Sequence, residues 1–161
     1  MLSQTCVKTL LHYNPETGLF TWLKSPRYGW VGKTAGCLSN NGGVHIKING
    51  MLYQAHRLVW LYVHGYLPPL IDHINGNRAD NCIANLRVAN KSENAINSKK
   101  RVDNKSGYKG VHWHKQSSRW RACIRKDGIG RTLGNFKSPE EAHEAYKNAA
   151  LELHGSFANF G

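Results

Sequence analysis

The longest run without Asp, Glu, Lys or Arg extends only from Leu58 to Ile71, and Gly65, Pro68 and Pro69 interrupt it. Such a run is too short and too broken to span a bilayer, which needs about 20 apolar residues in one helix. The breakers also divide the chain, since a helix ends at or before the residue preceding a proline. The fold is therefore expected to be assembled from short helices and strands separated by turns.

Periodicity assigns those pieces. Residues 1–53 read as short strands and turns, with Asn14–Gly18 as a turn before the apolar Leu19–Leu23. Val44, Ile46 and Ile48 alternate with His45 and Lys47, and Asn49-Gly50 then supplies a type I′ hairpin turn. In His56–Gly65, Leu58, Leu61 and Tyr62 recur at helical spacing, and Gly65 stops the helix. Leu70–Ile74 and Ile83–Ala89 read as two strands around a turn-rich loop. Asn90, with Glu93 three residues on, predicts a capped helix to about Lys100. Residues 101–106 are basic and polar and read as a linker. Three strand candidates follow, in residues 107–114, 119–125 and 131–136. The last helix has Ser138 as its cap, Pro139 first, Glu140 and Glu141 in its first turn and Gly155 at its end. Its apolar stripe is Ala142, Ala145, Tyr146, Ala149 and Leu153.

Charge limits the partners. The chain carries 22 Lys+Arg against 10 Asp+Glu, a formal +12. Residues 1–100 hold 11 basic and 4 acidic groups, and residues 101–161 hold 11 and 6. Both parts can thus attract a polyanion. Cys6, Cys37, Cys82 and Cys123 form no CxxC pair. They read as free thiols of a reducing compartment rather than a zinc site. With no basic-then-apolar N-terminal segment, a cytoplasmic location is expected.

One constellation carries chemistry: Asp72-His73 at a strand end, Asn85 with Leu86 and Arg87 in the next strand, and Ser92-Glu93-Asn94 on a capped helix. Taken singly, each residue has an ordinary role in a turn, a cap or a core; their joint spacing is what is specific. Residues 56–100 resemble the HNH nuclease motif in its H-N-N form, as found in phage homing endonucleases. Phosphodiester hydrolysis needs an activated water and a stabilised leaving oxygen. His73 titrates near physiological pH and can take the water's proton. Asp72 precedes it on a strand, so its side chain points the other way, toward a metal. Asn94 can add an amide oxygen, and such hard ligands suit Mg²⁺, with Mn²⁺ as a substitute. The resemblance makes Asn85 the residue that braces the loop around the base. It also sets His56 and Arg57 beside the site, with Arg57 available to a phosphate and a packing role equally open to His56. Asn97, one turn beyond Asn94, is a further candidate DNA contact, as are Lys99 and Lys100.

Gly107–Val111, Trp120 with Ile124 and Arg125, Leu133-Gly134 with Phe136, and residues 140–155 carry a second likeness. The segment resembles the three-stranded DNA-binding domain of plant ethylene-response factors (the Apetala type), also found in phage nucleases. The resemblance implies a sheet lying in the major groove with a helix behind it. Alternation puts Trp120, Ala122 and Ile124 toward the helix and leaves Arg119, Arg121, Cys123 and Arg125 on the open face. Lys109, His112 and His114 are expected to alternate likewise on the first strand. His112, His114 and Cys123 depart from the plant pattern, so its target site does not transfer.

The expected architecture is α+β. It comprises an N-terminal β-rich segment (1–55), a ββα-metal HNH core (56–100), a linker (101–106) and a three-stranded antiparallel sheet packed on one helix (107–161). The function expected is site-directed cleavage of double-stranded DNA by a monomeric homing endonuclease with one divalent ion, in the host cytoplasm if a phage encodes it. A DNA-binding regulator with an inactive nuclease core is the alternative. A packaging protein would need no such constellation.

Overall fold

The computed structural model describes residues 2–25 and 27–161. The chain divides into two compact units, residues 1–88 and 89–161.

The first unit opens with a helix, α1 (Gln4–Leu10), where strands and turns were expected. Ser3 caps it through its hydroxyl, which accepts from the Cys6 N–H at 3.2 Å. Only Val7 of this helix is buried, so no apolar stripe announces it in the sequence. Two three-stranded sheets follow. β1 (Leu11–Tyr13), β2 (Phe20–Trp22) and β3 (Thr34–Ala35) form one, in that order. β4 (Cys37–Leu38), β5 (Val44–Ile48) and β6 (Met51–Gln54) form the other. The Asn14–Gly18 turn closes through the Asn14 side chain, whose oxygen accepts from the N–H groups of Glu16 and Thr17. Asn49 and Gly50 both have positive φ, 49° and 82°, as a type I′ hairpin requires.

α2 (Ala55–His64) ends at Gly65, which adopts the left-handed conformation and bonds back to the Leu61 carbonyl. β7 (Ile71–His73) then pairs antiparallel with β8 (Leu86–Val88), setting Asp72 opposite Arg87 and His73 opposite Leu86. Val7, Leu11, Phe20, Ile46, Leu58 and Val59 form the most deeply buried part of the core, which also includes Ile71 and Leu86. Each such side chain contributes about 1.5–3 kcal/mol. Ile71 and Leu86 thus anchor the β7–β8 ribbon to the same core that the N-terminal strands build.

In the second unit, α3 (Lys91–Asn97) has both halves of the expected capping box between Asn90 and Glu93. It ends three residues earlier than the expected Lys100. The sheet is a meander of β9 (Val111–His114), β10 (Arg119–Lys126) and β11 (Ile129–Phe136), with β10 central. α4 (Pro139–His154) is capped by Ser138 as expected. Ala142, Tyr146 and Ala150 are its buried residues, and they pack on Val111, Ala122 and Ile124 of the sheet. Gly110 is required where it stands. Its φ is +74°, and a Cβ there would lie 2.2 Å from the Tyr146 ring. Residues 101–106 form turns inside this unit, with Lys100 donating to the Gly107 carbonyl and Asn104 to the Tyr108 carbonyl. Among the described residues, no helix is long and apolar enough to cross a membrane.

Candidate active site

Asp72 and His73 are adjacent on β7, and both are 6 % exposed. Strand alternation sends their side chains to different partners. The Asp72 carboxylate meets Arg87 across the ribbon, with Oδ2 at 2.9 Å from both Nε and Nη2. The Nε–H hydrogen bond and the Nη2 ion-pair contact on one carboxylate oxygen fix its orientation. The His73 ring instead places Nε2 at 3.1 Å from the Asn81 side-chain oxygen. His56 stands edge-on to His73, ring centroids 5.0 Å apart. Burial, and then the neighbouring His73, push the His56 pKa down to about 4, so this second imidazole is neutral at physiological pH.

The loop joining β7 to β8 is tied by asparagines. Asn85 accepts from the Asn75 N–H at 3.0 Å and donates to the Asn75 side-chain oxygen and the Asp80 carbonyl. Asn75 in turn donates to the Asp80 carboxylate at 2.7 Å. The Cys82 thiol and N–H beside Asp80 hold its carboxyl below the usual range. From the other side, the N-terminal turn braces the loop. The Tyr13 hydroxyl donates to the Asn81 carbonyl at 2.9 Å, and the Cys82 thiol donates to the Glu16 carbonyl at 3.1 Å. Burial pushes the Tyr13 phenol up to about 12, so it stays a donor.

Arg57 bonds the carbonyls of Pro68 and Pro69 at 3.3 and 3.5 Å, which fastens the segment after α2. In the second unit, Asn94 is an exposed residue of α3 whose backbone N–H bonds the Asn90 carbonyl. Asn97 is buried there, with the Asn159 amide donating to its carbonyl at 2.8 Å, so it is not available as a surface contact.

The open face of the β9–β11 sheet collects the basic residues. Arg119 lies opposite His114, and Arg121 lies between His112 and Asn135. The Arg121 Nε donates to the Asn135 side chain at 3.0 Å. Arg125 is exposed further along β10. Lys109 leaves this set, because β9 begins only at Val111. Its ammonium donates to the carbonyls of Ile96 and Ser98 at 2.6 Å each, closing the C-terminal end of α3. Burial there lowers its pKa to about 8. Lys99 and Lys100 line a cavity of about 820 Å³ with Lys105, Lys115 and Trp113.

Sequence reasoning passed over Asn81, Tyr13 and Asn135. Asn81 lies in a loop rich in Asn and Asp, where composition marks every residue as a turn former alike. Asn135 would have followed from pairing β11 with β10 with the register shift between Ala122 and Cys123 included, a bulge that the strand glycine Gly134 marks in the sequence.

Comparison with known proteins finds two family matches and several similar proteins. A family model described as HNH endonuclease matches residues 53–96, and one described as AP2 domain matches residues 106–156. Protein 3.8 of Escherichia phage T7 is 37% identical over 111 residues, covering 66% of this chain and 89% of that protein. An uncharacterized HNH endonuclease of Acanthamoeba polyphaga mimivirus is 32% identical over 108 residues, covering 65% of this chain and 55% of that protein. A solved structure titled DNA binding and cleavage by the HNH homing endonuclease I-HmuI has a TM-score of 0.44 and 22% identity, over 89% of this chain and 84% of that one. The chain belongs to the family of phage T7 Protein 3.8, and within it residues 53–96 match the HNH endonuclease model and residues 106–156 the AP2 domain model.

Proposed function

We propose that the protein hydrolyses a phosphodiester bond of double-stranded DNA, with His73 as general base and a single divalent ion held at Asp72. The observation that carries this reading is the opposed orientation of two adjacent buried side chains, His73 toward Asn81 and Asp72 toward Arg87. Each is held by a separate partner, so a base and an anionic ligand sit side by side without bonding each other. His73 takes the proton of the attacking water. Asn85 keeps the loop that follows His73 in one conformation. The neutral His56 adds no positive charge beside the base.

The donor set fits a hard cation. Among the described residues no group of three or more His, Cys, Asp or Glu gathers as a metal cage. A site with one carboxylate and few other protein ligands suits Mg²⁺, which keeps most of its waters and takes phosphate oxygens from the substrate. The H-N-N resemblance adds the amide oxygen of Asn94, and Mn²⁺ is the expected substitute. A divalent ion bound there supplies positive charge to the phosphate and to the leaving oxygen. The arginines on the open face of β10, with His112 and His114, form the surface that engages DNA and directs cleavage to a site. Lys99 and Lys100 add phosphate contacts.

Incubation of supercoiled plasmid with the purified protein tests this reading. Relaxed or linear product is expected with Mg²⁺, and none in excess chelator, where DNA binding persists. Binding without cleavage in either condition would support a regulator with an inactive core instead.

A further inference from the structure

We infer that Asn81 is the positioning residue that makes Nδ1 the proton-accepting nitrogen of His73, and that the N-terminal β1–β2 turn holds Asn81 in place to do so. This rests on the reading of His73 as the general base.

A neutral imidazole carries its proton on one nitrogen and its lone pair on the other, and the hydrogen bond made by one decides the role of the other. The Asn81 side chain fixes that choice. Its amide nitrogen donates to the Ala79 carbonyl at 3.2 Å, which settles which end is oxygen. That oxygen, 3.1 Å from His73 Nε2, can only accept, so Nε2 carries the hydrogen and Nδ1 the lone pair. Asn81 is 2 % exposed, so water does not compete for this bond.

Asn81 is itself anchored by residues far away in sequence. The Tyr13 hydroxyl bonds its carbonyl across 68 positions. At Gly18, a Cβ would fall 2.4 Å from the Cys82 nitrogen and 2.6 Å from the Asn81 carbonyl carbon, so the turn packs backbone against backbone. The Cys82 thiol closes the same contact on Glu16. A strand-turn-strand element outside the H-N-N motif therefore sets the tautomer of the base.

The test uses the full-length protein. In ¹⁵N-histidine-labelled wild type, long-range ¹H–¹⁵N correlation spectra are expected to show His73 in the Nε2–H form; the Nδ1–H form would overturn the inference without any variant being needed. Asn81→Leu keeps volume but removes the acceptor, and Asn81→Asp keeps an acceptor. Asn81→Leu is expected to cleave roughly 10–100-fold more slowly, the usual effect of losing a partner that orients a functional imidazole. DNA affinity should be unchanged. Asn81→Asp, assayed at alkaline pH so that the imidazole stays neutral, is expected to retain the Nε2–H form and recover most of the rate. A folded Asn81→Leu protein with wild-type rate beside an inactive His73→Ala protein would overturn the role of Asn81 and leave the base reading standing. An active His73→Ala protein would remove both.

Discussion

At the scale of single residues, the site depends on buried polar groups that each have a stated partner. The Asp72–Arg87 pair illustrates the cost of disturbing one. Asp72→Ala removes the proposed metal ligand and leaves the mostly buried Arg87 guanidinium without its carboxylate. It is expected to lower cleavage and stability together, whereas Asn94→Ala, on an exposed helix position, should raise the Mg²⁺ concentration needed for half-maximal cleavage and leave the unfolding midpoint unchanged. Equal Mg²⁺ requirement in wild type and Asn94→Ala would remove Asn94 from the metal site. His56 gives a pH dependence. Its folded pKa, near 4, lies below the ordinary 6.5, so between those values the unfolded chain binds the extra proton. Stability from this group is complete above pH 6.5 and is lost as pH falls toward 4, up to about 3 kcal/mol in all. Urea unfolding at neutral and mildly acidic pH checks this, and His56→Phe is expected to flatten the acid loss. Asp72, His73, Asn85 and Asn94 stood out in the sequence because their spacing is specific. Asn81 did not, because what distinguishes it is a contact with Tyr13, and no local pattern encodes that.

At the scale of elements, most segments with a clear period were legible: α2, the β5–β6 hairpin, β7 and α4 lie where apolar spacing and caps put them, whereas the strand expected over Ile83–Ala89 begins only at Leu86, because Ile83–Asn85 turn as a 3-10 helix that closes the loop after His73. The failures have physical causes. α1 has seven residues and one buried side chain, so tertiary packing rather than amphipathicity holds it. The basic run 101–106 looks like a linker by composition. Yet its neighbours Lys100 and Lys109 bond backbone carbonyls, and so order the chain on either side of it. Lys109 shows how this misleads a reading of charge: a cation on a supposed DNA-facing strand instead caps α3. The packing of β9 on α4 passes through Gly110. Gly110→Ala is expected to destabilise the second unit by about 2–4 kcal/mol, from a left-handed backbone plus overpacking against Tyr146. Thermal unfolding of residues 89–161 measures it, and an unchanged midpoint would show that the Tyr146 ring yields freely.

At the scale of the whole molecule, the proposal gives the base to the first unit and the main DNA-binding surface to the second. Residues 89–161 contain 14 basic and 7 acidic groups and the open basic face, but neither Asp72 nor His73. Expressed alone, they are expected to fold and bind DNA without cutting it, with affinity falling as salt rises through counterion release. A segment beginning at residue 101 would lack α3, the partner of Lys109 and Asn159, and should be less stable. Within 89–161, Arg121→Ala is expected to cost about 1–3 kcal/mol on one target sequence if the guanidinium reads a base edge. A loss equal on every sequence would assign it to phosphate. The central claim, that the β7–β8 ribbon is a working nuclease with His73 as its base, is tested most directly by the rate of plasmid cleavage in saturating Mg²⁺ by wild type and His73→Ala, with DNA affinity measured alongside. The variant is expected to bind as wild type and to cleave about two to four orders of magnitude more slowly. Cleavage by purified His73→Ala at the wild-type rate would contradict the account.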